Sequence, residues 1–224
     1  MPEIIYEDND IIVINKPAGI ATQTKKVDEK DMVSELKNYL KGGFVGVVHR
    51  LDQPVCGILV FAKNKKSAAE LSRQVSEKGE SGFQKDYKAI VFPGGEIKEK
   101  DVCEDLIVKE KEGFARIIKG CGPGSDSEGK TAKLSYEKTG EVTIGDVACP
   151  VLSVHLETGR FHQIRVQLAH RKLPIIGDMK YGSTESIELT KKEGIRQLKL
   201  CADHLRLRHP STGRTMDFEI DFDR

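Results

Sequence analysis

Apolar and polar positions follow two different periods along the chain, and the first segment predicts a hairpin. In IIYEDNDIIVINK, two short apolar runs flank the polar turn Glu7-Asp8-Asn9-Asp10. Short apolar runs separated by such turn residues are typical of paired strands. The stretch Lys16-Pro17-Ala18-Gly19 would end the second strand, because proline and glycine interrupt strand pairing. The chain is therefore expected to open with an antiparallel pair.

Helical spacing follows in two segments. In residues 31–41 the apolar side chains recur on one helical face, and Gly42-Gly43 would end that helix. The same spacing runs from Lys65 to Lys78, where Asn64 is a candidate N-cap. Between these helices lie the apolar runs VGVV and GILVFA, which we interpret as core strands.

The rest of the chain is dominated by strand patterns. In QKDYKAIVF, Tyr87 alternates with Ala89 and Val91 on one face, and residues 100–157 are rich in alternating segments. One helix is predicted over 160–171, and strands over 197–208 and 213–220. Strands outnumber helices and few βαβ units appear, so we predict an α+β fold with a mixed, mainly antiparallel sheet flanked by helices. No repeat or linker divides the chain, which predicts one domain over residues 1–224.

Composition argues for a soluble globular protein and against membrane, disulfide-rich and metal-binding classes. The chain has 224 residues, of which 38% are hydrophobic and 32% charged, as in soluble globular proteins. No basic leader precedes a long apolar stretch, so we expect a cytoplasmic protein that does not span a membrane. Five cysteines occur without a C-x-x-C pair and six histidines without a shared ligand spacing, so we expect reduced cysteines and no metal site.

Charge is distributed unevenly. The net charge is only +1, but residues 160–182 contain five basic side chains against one acidic side chain, and residues 196–214 repeat those counts. Basic patches are the electrostatic footprint of phosphate binding, although solvated surfaces often have the same composition. Charge alone therefore leaves RNA binding open.

One segment matches a nucleotide-binding motif in its letters. Residues 124–131 fit the pattern G-x-x-x-x-G-K-[ST] of phosphate-binding loops. Such a loop must open a helix whose N-terminus holds the phosphates, whereas the following AKLSYEK alternates like a strand. We therefore interpret the segment as a hairpin tip, with Lys130 and Thr131 at the start of a strand, and expect no nucleotide cofactor.

The predicted helix GRFHQIRVQLAHRK places a charge on its apolar side. At 100° per residue, Arg165 lies close to the stripe formed by Phe161, Ile164 and Leu168. A buried guanidinium needs a carboxylate or carbonyl partner, and otherwise the side chain extends to water. Asp52, which also lies next to core-forming runs, is one candidate partner.

Several segments together resemble one family. HRLDQPVCGILVFAKN resembles the H-R-L-D motif of the RluA family of RNA pseudouridine synthases, and GRFHQIRVQLAHRKLPIIGDMKYG resembles its second signature. EDNDIIVINKPAGI, KDYKAIV and GKTAKLSY are similar to its opening hairpin, tyrosine strand and central strand. These motifs occur in order from about residue 4 to residue 220. Many family members carry a separate N-terminal RNA-binding domain, which we do not expect in this chain.

The resemblance implies a role for individual residues. Asp52 matches the catalytic aspartate, Arg165 the arginine paired with it, and Tyr87 the tyrosine that stacks on the uracil and is implicated in removing its C5 proton. For substrate binding, Arg50 matches the arginine that takes the place of the extruded base, and Leu200 matches an apolar residue packing against the uracil. The same motif assigns His49 to substrate binding.

The resemblance also implies the reaction and the partner. A family member isomerises uridines of rRNA or tRNA to pseudouridine without a metal or another cofactor, and we expect it to act as a monomer. Some positions depart from the family pattern, so a second hypothesis is an RNA-binding relative with weak or lost catalysis; a nucleotide hydrolase is a remote third. Val55-Cys56 stands where Thr-Ser is usual, Gln167 and Cys201 stand where histidine is usual, and Lys172 stands where glycine is usual.

Overall fold

The computed structural model describes residues 2–25, 28–77, 82–111, 113–118 and 129–222. They group into two compact units. The first combines the described residues up to Asp86 with those from Cys201 onward, and the second is Tyr87–Leu200. The prediction of one domain over residues 1–224 stays a prediction beside this grouping.

The described residues contain strands and helices in a mixed order. In chain order they are β1 (Glu3–Glu7), β2 (Ile11–Lys16), α1 (Met32–Tyr39), β3 (Gly46–Val47), β4 (Cys56–Ala62), α2 (Lys65–Ser76), β5 (Gln84–Ile90), β6 (Lys100–Lys109), β7 (Ala115–Ile118), β8 (Lys130–Ile144), β9 (Val147–Leu156), α3 (Gln163–His170), α4 (Thr184–Lys192), β10 (Leu200–Arg208) and β11 (Thr215–Glu219).

The sheet of the first unit is centred on β2 and β4. These strands pair antiparallel, with Val13 opposite Val60, and β1 continues the sheet beyond β2. On the other side, β10 pairs parallel to β4 and antiparallel to β11. Ile11 to Ile14 have no exposed surface, because apolar side chains cover both faces of β2. One face packs a core cluster of Ile11, Val13, Ile58, Val60, Ala62, Leu71, Leu205, Leu207 and Phe218.

In the second unit, the long strand β8 organises an antiparallel sheet. It pairs with β6 on one side and β9 on the other, and β7 pairs with the outer edge of β6. The helix α3 packs on this sheet through Val166, which shares a core cluster with Ile107, Ala115 and Ala132. Residues 163–168 of α3 are all buried, so this helix is covered nearly all round.

The predicted fold class is confirmed: the sheet is mixed and mostly antiparallel, and helices accompany it. The helix predicted over 160–171 begins at Gln163, because His162 adopts a left-handed backbone with φ of 54°. The apolar run VGVV contributes only the two-residue strand β3. The proposed end of the second helix at Lys78 lies outside the described residues.

One departure from the sequence-based expectations stands out, whereas the strand start predicted at Lys130 and Thr131 is confirmed. The helix α4 was not predicted, because TESIELTKK is mostly polar; the Ser183 side chain nevertheless caps it by accepting from the Ser186 N–H. The nucleotide-hydrolase hypothesis is wrong: Lys130 begins the strand β8, so no helix follows the glycine-rich segment to hold phosphates. Residues 119–128, which include most of the predicted hairpin tip, lie outside the described part of the chain.

Among the helices that the structure describes, none combines the length and the apolar character that crossing a bilayer requires.

Candidate active site

Asp52 lies in the turn that leads into β4, and the backbone is anchored on both of its sides. On the N-terminal side, the Leu51 N–H donates to the Thr22 hydroxyl over 3.1 Å, and that hydroxyl donates to the Leu51 carbonyl over 3.0 Å. The Val55 N–H closes the turn by donating to the Asp52 carbonyl at 3.1 Å. Thr22 is only 2% exposed, so water does not compete for these bonds.

On the C-terminal side, the Gln53 carbonyl is the anchor. It accepts from the Gly19 N–H at 2.8 Å and from the Lys16 ammonium at 3.2 Å. The segment after β2 thus holds the residues that precede and follow Asp52. A side chain carried on a backbone fixed in this way is pre-organised for chemistry.

Lys16 is a buried cation beside Asp52. Its side chain has no exposed surface, and its ammonium also donates to the carbonyls of Pro17 at 2.9 Å and Ile20 at 2.6 Å. Burial lowers the pKa of the Lys16 ammonium to about 8, while the nearby Cys56 and the Asp52 carboxylate raise it. Because the attraction between opposite charges is mutual, Lys16 favours the ionised form of Asp52. The sequence signal was a lysine at the end of a mostly apolar strand.

His49 and Arg50 differ sharply in exposure. His49 is 7% exposed, and its Nε2 accepts from the Val60 N–H at 3.2 Å, which places the ring proton on Nδ1. Burial, reinforced by Lys85, holds the pKa of His49 well below its usual value. The geometry therefore supports a neutral imidazole that braces β4, and the contact of His49 with a substrate stays a prediction. Arg50 is exposed.

Arg165 is buried in the second unit, as its position on the helix predicted. Its Nε and Nη2 donate to the two carboxylate oxygens of Asp178 at 2.7 and 2.8 Å. Arg165 is 6% exposed and Asp178 only 3%, so this two-pronged ion pair is shielded from water.

The Asp178 loop is itself ordered around the pair. The Asp178 carboxylate accepts from the N–H groups of Lys180 at 2.9 Å and Tyr181 at 3.1 Å. The Tyr181 hydroxyl lies 2.7 Å from Nδ1 of His162 and accepts from the Ala115 N–H at 2.8 Å. Burial lowers the pKa of His162 to about 4, and the neighbouring Arg165 and Lys180 act in the same direction, so the imidazole is neutral at pH 7.

The remaining predicted residues lie in buried strand positions. Tyr87 on β5 is 5% exposed, and the predicted strand face is confirmed because Ala89 and Val91 are also buried. Leu200 begins β10 and is 2% exposed.

The structure brings some of the predicted residues together. His49, Arg50 and Asp52 belong to the first unit, and Tyr87, Arg165 and Leu200 to the second. The pairing of Arg165 with Asp52 stays a prediction. Asp178, the partner within its own unit, was missed, although it stands only thirteen residues after Arg165 within the same signature.

Comparison with known proteins identifies the family. The sequence pattern described as RNA pseudouridylate synthase matches residues 10–170. The chain belongs to this family. Asp52, Tyr87 and Arg165 all fall within the matched residues.

Curated relatives carry consistent names. The chain is 33% identical over 222 residues to ribosomal large subunit pseudouridine synthase C of Pasteurella multocida, a match that covers 99% of this chain and 64% of that protein. It is 33% identical over 223 residues to the Escherichia coli (strain K12) protein of the same name, covering 98% of this chain and 66% of that protein. The chain thus spans slightly less than two thirds of these relatives. It is also 30% identical over 234 residues to tRNA pseudouridine synthase C of Yersinia pestis, covering all of this chain and 87% of that protein.

Solved structures of family members share the fold. Human RNA pseudouridylate synthase domain containing 1 matches with a TM-score of 0.76 at 21% identity, covering 99% of this chain and 83% of that one. Human RNA pseudouridylate synthase domain containing 4 matches with a TM-score of 0.74 at 23% identity, covering 99% of this chain and 89% of that one. Most of the fold of that neighbour is therefore present here.

Proposed function

We propose that the protein is an RNA isomerase that converts specific uridines of rRNA or tRNA to pseudouridine, with Asp52 as the nucleophile. The observation that carries this proposal is the anchoring of Asp52: its turn is bonded on both sides to the segment after β2, next to the buried Lys16. The names of the relatives, which include both ribosomal and tRNA enzymes, support the substrate class.

The proposed reaction needs only groups that the chain supplies. Attack by Asp52 forms a bond to the substrate and permits the bond between the ribose and N1 of uracil to break. The base rotates, a new bond forms between the ribose and C5, and the bond to Asp52 breaks again, which regenerates the carboxylate. The proton leaves C5, and N1 regains one, so the product is an isomer of the substrate. We propose that Tyr87 stacks on the uracil and assists the loss of the C5 proton, and that Arg165 pairs with Asp52. A carboxylate is suited to nucleophilic attack because it is ionised at neutral pH.

We further propose that Arg50 fills the space vacated by the extruded base, and that Leu200 and His49 contribute to binding. The exposure of Arg50 supports its contact with RNA. Extrusion costs a few kcal/mol of lost stacking, which a substituting side chain would partly offset. The finer predictions, namely action as a monomer in the cytoplasm without a nucleotide cofactor, belong to the same proposal.

The direct test is release of tritium from RNA labelled at C5 of uridine. We expect the wild-type chain to release tritium, and Asp52→Asn, which keeps the shape but loses the charge, to fall to the level of the buffer control. Asp146→Asn is the matched control, because it makes the same substitution at a side chain that is 96% exposed. Release by Asp52→Asn at the wild-type rate would refute the role of Asp52. Tight RNA binding without release from any cellular RNA would instead favour the non-catalytic relative.

The substrate can be identified by mapping pseudouridine in total RNA from cells with and without the gene. We expect a small set of rRNA or tRNA positions to lose the modification. Unchanged maps would contradict the proposal.

A further inference from the structure

Two cysteines of the first unit stand side by side on neighbouring strands. Cys56 begins β4, and its partner in the parallel pairing with β10 is Cys201. Adjacent strands lie about 4.8 Å apart, and directly paired residues project from the same face of a sheet. That spacing falls within the range of about 4.4 to 6.8 Å between Cα atoms that a disulfide spans. The register therefore places the Cα atoms of the two cysteines within the range that a disulfide can span.

The two strands approach closely beside this pair. Gly57 is opposite Ala202, and a Cβ at Gly57 would lie 2.3 Å from the Ala202 carbonyl oxygen. Only glycine permits this contact, because any Cβ would collide with that oxygen. Glycine also tolerates the positive φ of 119° that residue 57 adopts. The strands are thus in close contact one residue from the two cysteines, which reduces the movement that a bridge would require.

Cys56 also has the environment of a reactive thiol. It is half-buried and is therefore the thiol that a small oxidant can reach first, whereas Cys201, Cys103 and Cys149 are buried. The charge of Lys16 acts on Cys56, and a neighbouring ammonium favours the thiolate, which is the nucleophilic form. By contrast, burial raises the pKa of both Cys103 and Cys149 to about 11, which makes them matched unreactive controls.

We propose that Cys56 and Cys201 form a reversible disulfide, a modification site on the strand that follows Asp52. The oxidant is a low-molecular-weight disulfide such as glutathione disulfide. The Cys56 thiolate attacks one of its sulfurs, which forms a mixed disulfide and releases one glutathione thiolate. The Cys201 thiolate then attacks the Cys56 sulfur and releases the second. The two cysteines give up two electrons and two protons, and the oxidant is reduced to two thiols.

The bridge has a mechanical consequence. A disulfide holds the two Cβ atoms at about 3.8 Å, so a bridge would fix the start of β4 against β10. The turn that carries Asp52 leads directly into this strand. Thiol–disulfide exchange with a reducing thiol would release the bridge again. On the proposed function, we expect the bridge to lower tritium release and dithiothreitol to restore it.

The bond itself is tested without reference to activity. The full chain is incubated with glutathione disulfide, remaining thiols are alkylated, and tryptic peptides are analysed by mass spectrometry. We expect LDQPVCGILVFAK linked to LCADHLR, with the link lost on reduction, absent in Cys56→Ser and retained in the double variant Cys103→Ala/Cys149→Ala.

Several outcomes would overturn the proposal. They are a Cys56 that remains alkylatable, a Cys56 that keeps glutathione while Cys201 stays alkylatable, and a link from Cys56 to Cys121 instead. Because these readouts use the wild-type chain, they do not depend on the folding of a variant. A link that forms in a chain without tritium release would uphold this site and refute the proposed function.

Discussion

At the scale of single residues, the buried ammonium of Lys16 is hydrogen-bonded to the turn that carries Asp52. Its ammonium is removed from water, yet three backbone carbonyls accept its protons, one of them from the residue after Asp52. A buried ammonium tolerates this position because each of its donors has a partner. The side chain thereby links the end of β2 to the Asp52 turn.

The depressed pKa of Lys16 predicts a pH-dependent stability. The folded chain holds the proton with a pKa of about 8, against 10.5 for an unperturbed lysine. The unfolded chain therefore binds more protons between these values, and the free energy of unfolding rises as pH increases through this window. Relative to Lys16→Met, we expect the wild type to gain about 2 kcal/mol between about pH 7.5 and 9.5, measured by urea denaturation. A difference between the two chains that is independent of pH would contradict the assignment.

Arg165 and Asp178 predict a large loss when one partner is removed. Both are buried, so Asp178→Asn leaves a guanidinium without its compensating charge, and we expect a loss of about 3 kcal/mol in the free energy of unfolding. The matched control is Glu137→Gln, which breaks the exposed pair of Glu137 with Lys100 and should cost less than about 1 kcal/mol. Equal losses in chemical denaturation would show that the buried pair has no special importance.

At the scale of elements, the backbone at the end of α3 explains why the family pattern has glycine at the position that Lys172 occupies here. The Leu173 N–H donates to the Leu168 carbonyl and the Lys172 N–H to the Ala169 carbonyl, the two bonds of a Schellman cap. Lys172 occupies the left-handed position of that cap, with φ of 59°. Glycine is favoured at such a position because it has no Cβ to clash, which accounts for the usual residue there.

Lys172→Gly is therefore expected to stabilise the chain. Relief of the left-handed strain should contribute about 1 kcal/mol, detected as a higher midpoint in thermal or urea unfolding. Lys172→Ala is the control, since it removes the same exposed charge and keeps the Cβ. If Lys172→Ala raised the unfolding midpoint as much as Lys172→Gly, the cause would be the lost charge and not the backbone strain.

At the scale of the whole molecule, the charge pattern predicts how RNA should bind. The net charge of +1 hides the two basic stretches near the C-terminus, where Arg196 is exposed. Neutralised phosphates release counterions, so we expect RNA affinity to fall steeply with salt. Arg196→Glu should weaken binding and flatten this dependence, whereas Lys65→Glu, on the exposed face of α2, should change neither. Fluorescence anisotropy across a salt series measures both, and equal effects of the two substitutions would refute a localised RNA surface.

Much of the secondary structure was predictable from the local pattern of apolar and polar residues. The opening hairpin, the helices near Met32 and Lys65 and the burial of Arg165 were all predictable, because hydrophobic periodicity reports which face of an element meets the core. The helix α4 was not, since its few apolar residues give a weak period and its cap at Ser183 is a local contact. The end of α1 was not predictable in detail either. Lys41, and not Gly42-Gly43, takes the first left-handed position after this helix, with φ of 52°.

The sequence by itself determined the fold class, the family motifs and the chemistry available at Asp52, because these depend on residue type and short-range order. Only the tertiary structure decided which distant groups meet. It set Lys16 beside the Asp52 turn, gave Arg165 the carboxylate of Asp178, and placed Cys56 opposite Cys201. These contacts follow from strand register and loop closure. One strand's pattern does not encode them, since many registers would bury the same apolar faces.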